Sequence, residues 1–343
     1  MRSLGIDVGG ANTKVILLEN GQTRDHWLKY IPLWKNDEKL KLFLKQIAKS
    51  KKPDRVGVTM TGEICDAFRT KREGVLKIIE TVCGAFGDDI CYFISLDGEL
   101  LSRSRSISTP EKLMAANWVA STLILGEKYP DCLFIDAGST TVDIIPVKNG
   151  KPGTRGRTDF QRLKTGELVY TGVLRTPLPC VCSEIQLNGE KIQVATENFA
   201  NMADVYRVIG MLKQADYTCE TPDGRGKDKK SCLRRIARTF CCDLEELGVN
   251  LALKAAWAFQ REQTEQVTLA LRKVTKNHEL PEKIKVILAG IGRLSLARMV
   301  ARKSGFKKMI DLAKVYDYQG ASMTPAFGAG LLAGEAGQLG RSS

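Results

Sequence analysis

The chain has 343 residues, 43% of them hydrophobic and 27% charged. That suits two lobes of about 150 residues each and excludes a disordered chain or a small disulfide scaffold. Lysine and arginine outnumber aspartate and glutamate 52 to 39, a formal net charge of +13, which bears on solubility and the steering of anions rather than on fold.

The N-terminus, Met1 to Asp7, reads as a strand and not as a signal peptide. No run approaches the ~20 apolar residues of a membrane span. Ten cysteines without an export signal point to a reducing cytoplasm and free thiols. Neither Cys180-x-Cys182 nor Cys241-Cys242 has zinc-site spacing. The two histidines, His26 and His278, lie in polar segments without partner motifs, which argues against a histidine triad.

Residues 6–21, IDVGGANTKVILLENG, reappear as IDAGSTTVDIIPVKNG at 135–150. Asp7 falls on Asp136, Gly9 on Gly138, and Asn20-Gly21 on Asn149-Gly150. Each copy predicts a strand, a tight Gly-rich turn, a second strand and an Asn-Gly hairpin turn, which needs positive φ. Two copies predict two related lobes.

Each aspartate ends an apolar strand, where a carboxylate can hold Mg²⁺ directly or through water. Gly9, Gly10 and Gly138 let backbone N–H groups approach phosphate oxygens. Thr13, Ser139, Thr140 and Thr141 add hydroxyls, and Lys14 adds a positive charge. Facing each other, the two hairpins would clamp a phosphate chain, with Asp7 and Asp136 on one metal. Asp143 stands where Lys14 stands in the first copy, so the clamps are chemically unequal.

Between the repeats, residues 36–50 predict a helix capped by Asn36, 55–60 a strand followed by Thr61-Gly62-Glu63, and 72–85 a helix. Residues 90–96 predict a strand with an Asp97-Gly98 turn, and 111–127 a helix. After the second repeat, 150–185 reads as a long loop that binds substrate. Arg175 in it is placed to grip an anion. Residues 198–213 predict an amphipathic helix with Asp204 and Arg207 as a helix pair or facing the cleft. The basic run 222–238 lacks interleaved aromatics and reads mainly as a solvated loop and helix face, with no nucleic-acid partner. Residues 243–277 predict one or two helices. A third Gly-rich turn, Gly290-Ile291-Gly292, follows the apolar run 286–289, and a Pro-started helix opens near Pro325.

The three turns in this order resemble the acetate kinase/sugar kinase/Hsp70/actin superfamily. The resemblance implies an α/β, two-lobed, actin-like (ribonuclease H-like) duplicated fold with an interlobe cleft. Its first lobe would span 1–128 with the C-terminal helix 325–343 packed back on it, and its second 129–324. There the third turn, with Gly290 and Gly292, is the adenosine loop, which here is either a relic or holds part of the substrate.

Residues 5–14, 59–63, 134–146 and 203–207 are similar to a narrower group, proteins linked to tetrahydromethanopterin C1 transfer and related to the hydantoinase/oxoprolinase group. That resemblance adds Asn12 and Glu63 to the substrate- and phosphate-binding residues. It implies a cytoplasmic, Mg²⁺-dependent transferase of methanofuran biosynthesis, which joins an aminomethyl-furanmethanol diphosphate to γ-glutamyltyramine and releases pyrophosphate.

A furfuryl-type carbon bears positive charge as its C–O bond breaks, and the phenol oxygen is then the nucleophile. Lys14 is the candidate for charge stabilisation, Asp143 the candidate base, and Asp7 and Asp136 the metal carboxylates. Expected partners are the two small molecules and a possible second copy of the chain, with no nucleic acid and no membrane. Three other readings stay open: an ATP-dependent small-alcohol kinase, a non-catalytic ATP-binding switch and a hydantoinase-like amide hydrolase.

Overall fold

The computed structural model describes residues 1–35 and 38–339. The proposed Asn36 cap and the last four residues of the predicted C-terminal helix lie outside these.

Strands β1 (Arg2–Val8) and β2 (Asn12–Glu19) pair antiparallel from Arg2↔Glu19 to Val8↔Thr13. Asn20 and Gly21, at φ 51° and 77°, turn the chain into β3 (Gln22–Tyr30). Helix α1 (Glu38–Lys51) buries Leu40, Leu44 and Ile47, one stripe at helical spacing. Strand β4 (Arg55–Met60) then runs parallel to β1. Helix α2 (Lys71–Phe86) starts where the Thr70 hydroxyl accepts the Glu73 N–H at 3.1 Å, and it ends at Gly87. Strands β5 (Cys91–Ile94) and β6 (Leu100–Leu101) finish a six-stranded sheet of order β3-β2-β1-β4-β5-β6.

The helix predicted over 111–127 is broken. Helix α3 (Arg103–Ser108) and a 3₁₀ turn at Pro110–Leu113 precede α4 (Asn117–Gly126). Ala115 at φ 51° interrupts them, a conformation that no right-handed helix passes through.

The second copy of the repeat forms β7 (Cys132–Ala137) and β8 (Val142–Lys148). Asn149 and Gly150, at φ 50° and 75°, then lead into β9 (Lys151–Pro152). The segment 150–185 is not one loop. It holds α5 (Asp159–Thr165), β10 (Leu168–Val169) and a 3₁₀ turn at Leu178–Cys180.

A hairpin of β11 (Glu184–Leu187) and β12 (Glu190–Gln193) follows. Helix α6 (Met202–Val208) is shorter than the predicted 198–213, because Asn201 and Asp204 form a reciprocal capping box that fixes its start. Helices α7 (Lys229–Arg238), α8 (Leu244–Leu247) and the 29-residue α9 (Val249–Asn277) come next. Strand β13 (Lys285–Ala289) leads through a π-helical turn at Arg293–Ala297 into α10 (Arg298–Lys303). Strand β14 (Met309–Asp311) and helices α11 (Tyr318–Ser322) and α12 (Thr324–Leu339) close the chain. The second sheet has the order β10-β8-β7-β13-β14, with β9 on β8. Its run β8-β7-β13-β14 repeats the run β2-β1-β4-β5 of the first sheet.

The chain divides into two compact units. One comprises 1–132, 145–161 and 312–343, and the other 133–144 and 162–311. Residues 129–132, 145–161 and 312–324 therefore cluster with the first unit, whereas a division at 128/129 and 324/325 would put them in the second.

In the first unit α12 packs directly on β1 and β4. Small residues make this approach possible. A Cβ on Gly5 would stand 1.8 Å from the Ala326 carbonyl oxygen, and one on Gly57 1.9 Å from that of Ala329. The second unit has its own core, in which Leu133, Ile135, Ile144 and Leu288 of the sheet meet Tyr206, Phe259 and Leu271 of the helices.

Candidate functional site

Each unit carries one copy of the repeated turn. In the first, the Gly9 N–H closes the turn on the Asn12 carbonyl at 3.0 Å. Asp7 is the last polar side chain of β1. Strand register sets it beside Lys14 on β2 and Thr59 on β4. Lys14 Nζ donates to Asp7 Oδ2 at 3.1 Å, with the lysine side chain 26% exposed and the aspartate 5%. Asp7 Oδ1 and Thr59 Oγ1 are buried with no hydrogen-bond partner among the described residues. A carboxylate half-used by an ammonium, with its other oxygen free, suits a hard cation or a further donor.

The remaining first-unit candidates divide. Gly9 and Gly10 are partly exposed at the tip of the turn, and Gly62 packs against the Gly9 backbone. Asn12 places its Oδ1 in the interior without a partner. Thr13 pairs with Val8, one residue out of step with Lys14. It therefore points to the opposite face of the sheet and is fully buried.

Glu63 lies in the 3₁₀ turn Gly62–Ile64 after β4, also fully buried, and both its carboxylate oxygens lack partners. Burial raises its pKa to about 7. The nearby Glu63 and Ala115 amides and Lys71 pull it down, and Asp159 pushes it up.

In the second unit the Gly138 N–H closes the turn on the Thr141 carbonyl at 2.9 Å, the same bond at the equivalent place. Asp136, Gly138, Ser139, Thr140 and Thr141 are all partly exposed. The Ser139 and Thr140 hydroxyls lie 3.4 Å apart. The Arg175 backbone N–H donates to the Ser139 carbonyl at 2.9 Å, so the arginine candidate does lie at the turn, with its side chain half-buried.

The third Gly-rich turn meets the end of β7 in the same unit. The Gly292 N–H donates to the Ala137 carbonyl at 2.8 Å. A Cβ on Gly290, which sits at φ 83°, would be 2.3 Å from both Asp136 Oδ1 and the Ala137 carbonyl oxygen. Arg293, buried, binds Asp311 at 2.9 Å and the Gly290 carbonyl at 3.3 Å.

Asp143 is not the open carboxylate its position suggested. Arg162 of α5 donates to its Oδ1 at 2.5 Å, with the arginine side chain 1% exposed, and also to the Glu167 carbonyl at 3.1 Å. A base role would first require that pair to open.

Asp204 and Arg207 do not pair with each other. Asp204 receives Arg235 at 2.7 Å and the Tyr217 hydroxyl at 3.0 Å, all of it buried, while Arg207 reaches the Lys227 carbonyl and Gln214. The basic run is thus partly interior. Arg235 is fully buried and holds Asp223 as well, at 3.0 Å. The available signal was spacing, because Arg235 falls on the same helical stripe as Cys232 and Ile236, both buried.

Among the described residues, no group of three or more His, Cys, Asp or Glu side chains is arranged to hold a metal, and no helix is long and apolar enough to cross a membrane. All ten cysteines are free thiols.

Two turns built on one plan, each at the end of a strand within a duplicated sheet, define an actin-like α/β protein. The fold is shared with the nucleotide-free structure of acetone carboxylase, at a TM-score of 0.58 and 12% identity over 96% of this chain and 70% of that one. Residues 54–331 match the hydantoinase/oxoprolinase family, to which the chain belongs.

It is 33% identical over 325 residues, 94% of its length and 95% of the relative's, to the (4-{4-[2-(gamma-L-glutamylamino)ethyl]phenoxymethyl}furan-2-yl)methanamine synthase of Methanocaldococcus jannaschii. It is 30% identical to the protein of the same name from Methanococcus vannielii, over 59% of this chain and 90% of that one.

Proposed function

We propose that this protein makes the same aryl ether, joining a furanylmethyl diphosphate to the phenol of γ-glutamyltyramine with release of pyrophosphate. The observation that carries the reading is the similarity to the Methanocaldococcus jannaschii synthase along nearly the whole of both chains. The residues present suit the chemistry.

The bond from the furfuryl carbon to the diphosphate oxygen breaks, with its electron pair leaving on the diphosphate. The phenol oxygen then bonds to that carbon. The protonated ether formed is a strong acid and loses its proton to water, so the reaction needs no dedicated base. That agrees with an Asp143 already neutralised by Arg162. The demand on the protein is to hold and neutralise the leaving group. Lys14 offers a partly exposed ammonium, and the Gly138–Thr141 turn offers backbone N–H groups and hydroxyls.

Asp7 and Asp136 are the residues that would hold Mg²⁺. A single carboxylate per turn, with water and phosphate completing the shell, is this ion's habit. Bound there, it would add positive charge to the diphosphate. A cytoplasmic location belongs to the same reading, supported by the free thiols.

The test is incubation of the purified protein with Mg²⁺, the furanylmethyl diphosphate and γ-glutamyltyramine in nucleotide-free buffer. Pyrophosphate and ether should appear in equal amounts. A strict requirement for ATP, with ADP formed in step with product, would replace this reading with a kinase.

A further inference from the structure

Gln263 lies in the middle of α9, fully buried, among the interior positions Phe259, Gln260, Thr264 and Val267 of the same helix. Its Nε2 donates to Thr171 Oγ1 at 2.8 Å and to the Gly172 carbonyl at 2.9 Å, and its Oε1 accepts the Tyr206 hydroxyl at 2.8 Å. A leucine would fill the same space with no polar group to satisfy, so a buried amide here has a cost that its bonds must offset. Two of those three bonds converge on one short segment, Thr171–Gly172.

Gly172 is fixed at both of its backbone groups. Its N–H donates to Thr176 Oγ1 at 2.8 Å, and its carbonyl accepts from Gln263. Here the chain lies tight against the second turn: a Cβ on Gly172 would stand 2.5 Å from Ser139 C and Thr140 N. The next three N–H groups continue the contact. Val173 donates to the Gly138 carbonyl at 3.1 Å, and Leu174 and Arg175 donate to the Ser139 carbonyl at 3.1 and 2.9 Å.

A trans peptide points its N–H opposite to its C=O, and no peptide bond described is cis. With the Gly138 and Ser139 carbonyls turned onto residues 173–175, the N–H groups of Ser139 and Thr140 both face the other way. Two successive N–H groups on one side make an anion-binding nest.

We propose that Gln263 is a positioning residue for this anion site. It pins Gly172, and through residues 172–175 it sets the two peptide planes whose N–H groups receive a diphosphate oxygen. The proposal rests on reading the Gly138–Thr141 turn as the diphosphate site.

The experiment measures binding of inorganic pyrophosphate with Mg²⁺ to the full chain by calorimetry, for wild type, Gln263→Leu, Gln263→Glu and Tyr206→Phe. Gln263→Leu should weaken binding about tenfold or more, as loss of buried hydrogen bonds implies. Its KM for γ-glutamyltyramine should stay near the wild-type value. Tyr206→Phe keeps the two donations to Thr171 and Gly172 and should lose less affinity.

Gln263→Glu supplies the readout that a merely structural role would not move. Its carboxylate repels the Gly172 carbonyl, whereas its carboxylic acid can donate to it. Affinity relative to wild type should therefore recover as pH falls toward 5. This comparison stays informative even if Gln263→Leu does not fold.

Equal pyrophosphate affinity in wild type and Gln263→Glu at every pH overturns the proposal, as does a wild type that binds no pyrophosphate. Pyrophosphate binding without ether formation overturns the reaction but leaves the role of Gln263 standing.

Discussion

Seven residues beyond the strand-ending aspartate, the first hairpin has Lys14 and the second Asp143. Lys14 reaches back to Asp7 and keeps part of its surface in solvent. Asp143 turns instead to Arg162, and the pair is buried. The backbones are alike, down to the closing bond of 3.0 Å in one and 2.9 Å in the other. Duplication has therefore kept the scaffold while the charges took different work. In the first hairpin the ammonium keeps part of its surface in solvent while its carboxylate partner is buried. In the second the charges brace α5 against β8, and the exposed donors are backbone N–H groups and hydroxyls.

If that division is right, the two sets of charges fail differently when removed. The largest effect is expected at Arg162. Arg162→Met strands Asp143 in the interior and should cost about 3–5 kcal/mol of stability in denaturant unfolding. Adding Asp143→Leu should restore most of it. An Asp143→Asn variant that folds normally yet loses turnover would return the catalytic role to Asp143 and break the comparison.

Glu63 carries the next effect. Its pKa, raised by burial to about 7 from an ordinary 4.5, means that the folded chain holds a proton the unfolded chain releases. Below about 4.5 both states are protonated and nothing is lost. Between there and about 7 stability falls as pH rises, levelling off about 3 kcal/mol lower, at 1.36 kcal/mol per pH unit. Glu63→Gln should remove this slope and make the protein more stable than wild type above pH 7. Parallel stability curves for the two proteins would show that Glu63 is ionised in the folded chain.

Asp7→Asn and Asp136→Asn should each lower turnover about 10²-fold, close to 3 kcal/mol of transition-state stabilisation. Lys14→Met should cost turnover about tenfold and, because it leaves the buried Asp7 carboxylate without its ammonium, should also lower stability, though by less than Arg162→Met, since the Lys14 side chain is 26% exposed. A Lys14→Met variant that unfolds early but turns over normally would reverse the roles of the two hairpins.

The hairpins themselves were legible in the sequence. Asn-Gly at the same distance from Asp-x-Gly leaves the backbone little choice, and both turns formed as read. Strand β4 coincides with the apolar run at 55–60. What escaped was set through space. Arg162 lies 19 residues from its partner, in a segment whose Gly, Arg, Thr and Pro content hides a seven-residue helix. Arg235 was masked by the basic residues around it, and the acid that neutralises it lies 31 residues away. The break at Ala115 has no signature at all, because alanine ordinarily favours the helix that its φ of 51° interrupts. Gln263 stood unremarked in a long helical stretch, since only the folded chain brings it to Gly172.

The most direct test of the central claim, that the diphosphate brings its own energy, is the nucleotide dependence of coupling. With Mg²⁺, furanylmethyl diphosphate and γ-glutamyltyramine, and with nucleotide removed enzymatically, pyrophosphate should be released one for one with ether, at the same rate whether or not ATP is then added. Ether formation that starts only on addition of ATP, with ADP accumulating alongside it, would contradict the account.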